Sequence, residues 1–366
     1  MKTYRADPSL IVDRLCTSHS YKGGSNALRK VMHKIIVLFL GICLLLCFAC
    51  NKSAAVPATE ANTPKPYEYA GESRVMAWHN PAYEKPEYAE GSDLRVWVSN
   101  KSDPDREYTY YGTVHWVENQ GNHIFSLLCL PSDYDGTQKY PLLLMVHGYN
   151  STFHEYDYFT NFLTESGYAV LYFDFRGGHA SQGLSDGKLI EMSYDTKLSD
   201  IRAMTDFASE LEMVDSDKLI FVGHSQGGMM GMITACDDNL KDRFLGMLLF
   251  APAARHATYL DEFGSLDNLP DSYTILTEKV GRDFLYSAVK YEQIVWNKLC
   301  DYTKPVKIWI GDADEIIPTQ TAIDLAAAFG ENASYEIVPG GYHDFRGDVL
   351  PSLMPDSIIP FLDSLL

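Results

Sequence analysis

The residues best placed to do chemistry lie in Leu219-Ile220-Phe221-Val222-Gly223-His224-Ser225-Gln226-Gly227-Gly228, where an apolar run stops at a serine between glycines. The pattern G-x-S-x-G marks a nucleophile elbow. Its serine sits on a strained strand-to-helix turn, and glycines two residues to either side avoid a Cβ that would strike neighbouring backbone. Alone the pattern is weak, since a chain of this length meets it by chance about once in ten. The apolar run before it and the Met/Ala/Ile segment after it supply the strand-turn-helix context that makes it specific. Ser225 is therefore the candidate nucleophile, exposed at the end of a central strand.

A serine hydroxyl is a weak nucleophile and needs a base within hydrogen-bond reach, itself oriented by a carboxylate. After such an elbow the acid and then the histidine follow along the chain. His343, in Gly340-Gly341-Tyr342-His343-Asp344, is the only histidine beyond the candidate acids. The acid is expected in Gly311-Asp312-Ala313-Asp314-Glu315, just past the apolar run Val306 to Ile310. Asp314 is favoured because three residues of loop let its side chain turn back. Asp312, still leaving the strand, is the competitor. A tetrahedral intermediate needs two backbone N–H donors. Gln226 follows the nucleophile and supplies one; Tyr149, in Val146-His147-Gly148-Tyr149-Asn150, is assigned the other. His147 and His224 are expected to brace these loops rather than react.

Positioning those groups requires a sheet. Leu142 to Val146, Ala169 to Phe173, Leu219 to Val222, Gly246 to Phe250, Val306 to Ile310 and Tyr335 to Val338 are short apolar runs separated by amphipathic stretches. Continuous apolar strands imply burial on both faces, and intervening helices imply crossovers, so the fold is α/β with a mostly parallel central sheet and helices on both faces. Ligand sites in such sheets lie at the carboxyl ends of the strands, where each motif above falls. Ahead of them, Tyr108 to Trp116 and Ile124 to Leu130, split by Asn119-Gln120-Gly121-Asn122, suggest a leading hairpin. The segment from Tyr67 to about residue 107 gives no readable pattern.

The chain has 366 residues, 46% hydrophobic and 22% charged, enough for one large core. Its net charge of -19 repels phosphate backbones, so nucleic acid is not an expected partner. The segment before Ile35 holds seven of the basic residues and two of the acidic ones, leaving the body more acidic still. Met32-His33-Lys34 followed by the apolar run Ile35 to Ala49 has the form of a secretory signal too short to span a bilayer. Residues 1–31 are then expected to be a misassigned start, 32–49 a signal, and 50–66 an Ala/Thr/Pro/Lys-rich tether. Of seven cysteines only Cys129, Cys236 and Cys300 lie in the body, which is no disulfide framework. No metal-ligand spacing, phosphate loop or dinucleotide fingerprint is present, and no cofactor is called for.

The set His147-Gly148, Asp174-Phe175-Arg176-Gly177, Ser185-Asp186-Gly187, Gly223 to Gly228, Phe250-Ala251-Pro252-Ala253-Ala254, Gly311 to Pro318 and His343 resembles the α/β-hydrolase fold. Within it the chain looks like the cinnamoyl/feruloyl esterase branch and its serine aminopeptidase-like neighbours, over residues 140–366 and more loosely from 108. The stretch Phe48-Ala49-Cys50-Asn51 resembles the lipobox of bacterial lipoproteins, in which the cysteine, here Cys50, carries the lipid. The resemblance implies an exported, lipid-anchored serine esterase of the cell envelope, acting on hydroxycinnamate, short acyl or monoacylglycerol esters, free or polysaccharide-linked. A peptidase releasing amino-terminal residues is the alternative, with Asp261, Glu262 and Asp283 available to an ammonium group. A non-catalytic surface binding protein is the minor one. Residues 253–304 would form a lid over Ser225, its aromatics Tyr259, Phe263, Phe284, Tyr286, Tyr291 and Trp296 either lining an acyl pocket or burying the lid. The loop Gly177 to Leu184 departs from the family pattern, which runs directly from Arg-Gly-His-Gly to Ser-x-Gly.

Overall fold

The computed structural model describes Glu68–Tyr69 and Glu72–Ser73, then residues 88–99, 107–254, 262–345 and 349–366, all within one compact unit. The signal, Cys50 and the tether lie outside the described residues. Among the described residues no helix is long and apolar enough to cross a membrane.

The first described strands are the short β1 (Glu68–Tyr69) and β2 (Glu72–Ser73), then β3 (Asp93–Ser99), β4 (Glu107–Asn119) and β5 (Asn122–Cys129); β3, β4 and β5 form an antiparallel meander, and β1 pairs with β3 and carries β2 on its outer side. The Gln120-Gly121 turn between β4 and β5 has both residues at positive φ, 54° and 77°, as a tight hairpin requires. The composition around β3 gives no strand pattern, yet Leu94 and Val96 alternate inward against β4 and are fully buried. After the meander come β6 (Tyr140–Val146), α1 (Thr160–Glu165), β7 (Ala169–Phe173), α2 (Tyr194–Glu210), β8 (Val214–His224), α3 (Gln226–Ala235) and β9 (Met247–Phe250). The strands β10 (Ser272–Ile275) and β11 (Glu278–Gly281) form a separate hairpin leading into α4 (Arg282–Lys298). The chain finishes with β12 (Val306–Gly311), α5 (Gln320–Phe329), β13 (Ala333–Val338), α6 (Val349–Leu353) and α7 (Ile359–Asp363).

The main sheet runs β13-β12-β9-β8-β6-β7-β5-β4-β3-β1-β2, parallel from β13 to β7 and antiparallel beyond. Its apolar runs feed two cores. Leu142, Leu144, Leu171, Phe221, Leu249 and Ile308 face one side, and Leu143, Met145, Val170, Ile220, Leu248 and Trp309 the other. The two-residue period of a strand therefore operates inside sequences that read as uniformly apolar. β13 differs from the expectation of burial on both faces: as the edge strand it buries only Val338, and Ile337 is 39% exposed.

α2 starts at a capping box in which the Ser193 hydroxyl accepts from Thr196 N–H and the Thr196 hydroxyl accepts from Ser193 N–H. Its Asp200 is fully buried and accepts from Arg176 Nε (2.5 Å), Arg176 N–H (3.0 Å) and Asn119 Nδ2 (2.9 Å). One turn earlier Lys197 is also fully buried, its Nζ 4.0 Å above the Phe175 ring and without a hydrogen-bond partner among the described residues. Burial pulls its pKa from 10.5 down to about 7, against the opposing charges of Asp200 and Glu155. Between those two pH values the unfolded chain holds a proton that the folded chain releases, so this group's contribution to stability rises with pH through that window. Lys197→Met is accordingly expected to stabilise the fold by about 1–4 kcal/mol at pH 6, with a shallower rise in stability from pH 7 to 10. Urea unfolding at several pH values checks this, and an unchanged pH slope would dismiss it.

Candidate active site

β8 delivers Ser225 at a turn that glycine makes possible. A Cβ on Gly223 would overlap the Gly227 carbonyl, and one on Gly227 the Val146 carbonyl of the adjacent strand, so α3 can begin flush against the sheet only with hydrogen at both sites. Ser225 itself sits at φ 52°, ψ -114°, a conformation L side chains rarely adopt. Its N–H donates to Phe250 O (2.9 Å) and its carbonyl accepts from Ala253 N–H (2.9 Å) and Met229 N–H (3.1 Å), a frame that holds the strain in place.

β12 and β13 deliver the other two groups. Ser225 Oγ lies 2.9 Å from His343 Nε2, and His343 Nδ1 lies 2.9 Å from Asp314 Oδ2. The other Asp314 oxygen accepts from Ile316 and Ile317 N–H, both at 2.8 Å. Burial raises the Asp314 carboxyl, but the hydrogen bonds from His343, Ile317 and Ile316 outweigh it and hold the group below its ordinary value. A buried carboxylate kept ionised in this way fixes the His343 proton on Nδ1 and leaves Nε2 free to accept one from Ser225. Asp312, the competing acid, turns elsewhere and accepts from Gly340 N–H (2.7 Å), stapling the β12 loop to the loop that carries His343. The same two loops touch at Gly311 and Gly341, where a Cβ on Gly311 would overlap the Gly341 carbonyl.

The β6 loop approaches from the other side. A Cβ placed on Gly148 would be 3.3 Å from Ser225 Cβ. The backbone N–H groups of Tyr149 and Gln226 have no hydrogen-bond partner among the described residues, and Gln226 opens the ten-residue helix α3, whose N-terminus favours negative charge. His147 braces the loop. Phe175 N–H donates to its Nε2 (3.0 Å), so the proton sits on Nδ1, which donates to Gly148 O (2.9 Å). Burial and the nearby Lys197 charge drive its pKa down to about 3, so it stays neutral.

Glu155 is a participant that sequence reasoning missed. It lies on the seven-residue 3-10 helix Phe153–Phe159, too short to carry a spacing signal, and its carboxylate reaches Gly148 N–H (2.6 Å) and His224 Nδ1 (3.2 Å).

The segment between β9 and β12 contributes aromatic side chains. Tyr149 meets Phe284 at 6.2 Å between ring centroids, and Phe284 stacks on Tyr194 at 5.3 Å, whose hydroxyl accepts from Gln226 Nε2 (3.3 Å). Trp296 Nε1 donates to Ala254 O and the Tyr291 hydroxyl donates to Asp195, while Tyr286 is exposed. Phe263 packs edge-on against Tyr273, whose hydroxyl donates to Glu262. Phe284 and Tyr291 thus bury the segment against the body, with Phe263 and Trp296 packed on the same core, and among the described residues Phe284 is the one of these rings that meets Tyr149. Tyr259 and Asp261 lie outside the described residues. The divergent loop after Gly177 docks beside the same place, with Ala180 N–H donating to Asn150 Oδ1 (2.8 Å).

Residues 137–272 match the family model described as serine aminopeptidase, S33. The solved structure of Est1E from Butyrivibrio proteoclasticus with ferulic acid bound is 25% identical, covers 68% of this chain and 98% of that one, and superposes with a TM-score of 0.59. The monoacylglycerol lipase of Paleococcus ferrophilus shares the fold at 17% identity and a TM-score of 0.52, over 66% of this chain and 99% of that one. An uncharacterized 31.7 kDa protein of the Escherichia coli traX-finO intergenic region is 29% identical over 118 residues, 32% of this chain and 40% of that protein. The match therefore spans about two fifths of that relative's length.

Proposed function

We propose that this chain, which has the α/β-hydrolase fold, is a serine hydrolase cleaving carboxylic esters through an acyl-enzyme on Ser225. The observation that carries this reading is the continuous Ser225–His343–Asp314 hydrogen-bonded line at the carboxyl ends of β8, β13 and β12. His343 takes the Ser225 proton as the hydroxyl attacks the ester carbonyl, the oxyanion settles on Tyr149 and Gln226 N–H, and His343 then donates to the departing alcohol. Water repeats the sequence and releases the acid. No step needs a cofactor.

A hydroxycinnamate is the acyl group we propose, on the strength of the partly exposed Tyr149 ring, which packs on the buried Phe284 beside the oxyanion loop, and the likeness to Est1E with ferulic acid. The peptidase reading has one observation in its favour, the match of residues 137–272 to the serine aminopeptidase model. Comparing turnover on methyl ferulate, a short-chain aryl ester and an aminoacyl anilide, each with the Ser225→Ala control, separates them. Serine-dependent preference for ferulate is the expected result. Preference for the anilide replaces the esterase by the peptidase, and turnover of the short ester alone removes the hydroxycinnamate assignment. Export and lipidation at Cys50 are part of the same proposal, and mass spectrometry of the amino-terminal peptide from cell envelopes tests them.

A further inference from the structure

Glu155 and His224 stand one layer behind the reacting groups and touch both sides of them. Glu155 Oε2 accepts from Gly148 N–H at 2.6 Å, on the loop that presents Tyr149. Glu155 Oε1 is 3.2 Å from His224 Nδ1, and His224 Nε2 donates to the backbone carbonyl of His343 at 2.9 Å. His224 Nε2 must carry a proton to serve the carbonyl, and Nδ1 sits at ion-pair distance from the carboxylate without the alignment of a hydrogen bond, so the arrangement favours the doubly protonated, positively charged ring. The electrostatics agree. Burial alone would lower the His224 pKa, but Glu155 and the His343 carbonyl raise it, and His224 in turn holds Glu155 below its ordinary value. The His224 ring lies 4.8 Å from the His343 ring, so the two imidazoles run side by side, each with its own carboxylate.

We infer that Glu155 and His224 form a second acid–histidine pair that sets the distance between the oxyanion loop and the His343 backbone. They are positioning residues, and the inference rests on the hydrolase reading above. The two sides of the site come from distant parts of the chain, since His224 and His343 are 119 residues apart, and both must be registered on Ser225 within a fraction of an ångström. A neutral hydrogen bond would serve either side alone. The ion pair joins them, because neither partner can shift without leaving a buried charge unpaired.

Glu155→Gln keeps an acceptor for Gly148 N–H but turns an amide N–H2 toward His224 Nδ1–H, so His224 must lose its proton or swing away from the His343 carbonyl. The expected result is a kcat about 10- to 100-fold lower per active site, with KM within about threefold, below the ~10²–10³ cost of losing an oxyanion donor outright. Active sites are counted by burst titration with a fluorophosphonate, so loss of folded protein does not enter the number. His224→Gln should cost a similar factor, and the double variant no more than the larger single loss, because the two act as one unit. Single variants whose kcat per titrated site stays within twofold of wild type, or losses that multiply in the double variant, overturn the inference. If the wild type takes up no phosphonate at Ser225, the hydrolase reading itself falls, which is a different outcome.

Discussion

Ser225→Ala should leave a folded protein whose ester turnover has dropped about 10⁴- to 10⁶-fold. The change removes one oxygen whose hydrogen-bond partner is His343 Nε2, and leaves the backbone frame of Phe250, Ala253 and Met229 intact. Alanine can hold φ 52° no more comfortably than serine does, so the strain is unchanged and the melting temperature should move little. What remains should be the modest acceleration that the oxyanion donors and substrate binding supply without a nucleophile. Turnover within about a hundredfold of wild type, on protein that melts normally, would mean that another group attacks the substrate.

Asp314→Asn is expected to cost about 10⁴-fold in kcat, and Asp312→Asn less than tenfold. The carboxamide oxygen at 314 can still accept from Ile316 and Ile317 N–H, so the loop survives. Its N–H2 then faces His343 Nδ1, which must present a lone pair, and the proton moves to Nε2, where it points at Ser225 Oγ and cannot receive the serine proton. At Asp312 the carbonyl oxygen that serves Gly340 N–H survives the substitution and no histidine is involved. Parallel measurement of kcat and of the melting temperature separates the two roles. A larger kinetic loss at 312 than at 314 would reverse the assignment of the acid.

The parallel half of the sheet was legible because a strand buried on both faces can contain little but apolar residues, and its six runs stand out between amphipathic stretches. The Ser225, His343 and Asp314 positions were legible because G-x-S-x-G admits only glycine at its flanks and because a single histidine follows the acids. β3 was not read, although Leu94, Val96 and Val98 alternate, since its strand lies in a Tyr-, Glu- and Pro-rich stretch whose overall composition hides a seven-residue pattern. The Glu155–His224 pair was out of reach for a different reason. Residues 69 apart in sequence meet only because β6 and β8 are neighbours in register, Val146 opposite Gly223, and no local spacing records that adjacency. The lid aromatics could be read either way because a ring buries as well against a body as around an acyl group.

The site draws one group from the end of each of four parallel strands, β6, β8, β12 and β13, and β13 is both the edge of the sheet and the last of the described strands. A nascent chain therefore carries Ser225 on β8 well before His343, the base proposed for it, has been synthesised. Parallel pairing of strands so far apart is slow to form, because loop closure must precede the contacts that reward it. Recovered turnover during refolding should then lag the return of helical signal, and it would report the docking of the final strand rather than collapse of the core. On the proposed hydrolase reading, a chain whose β13 has not yet docked holds Ser225 without its base.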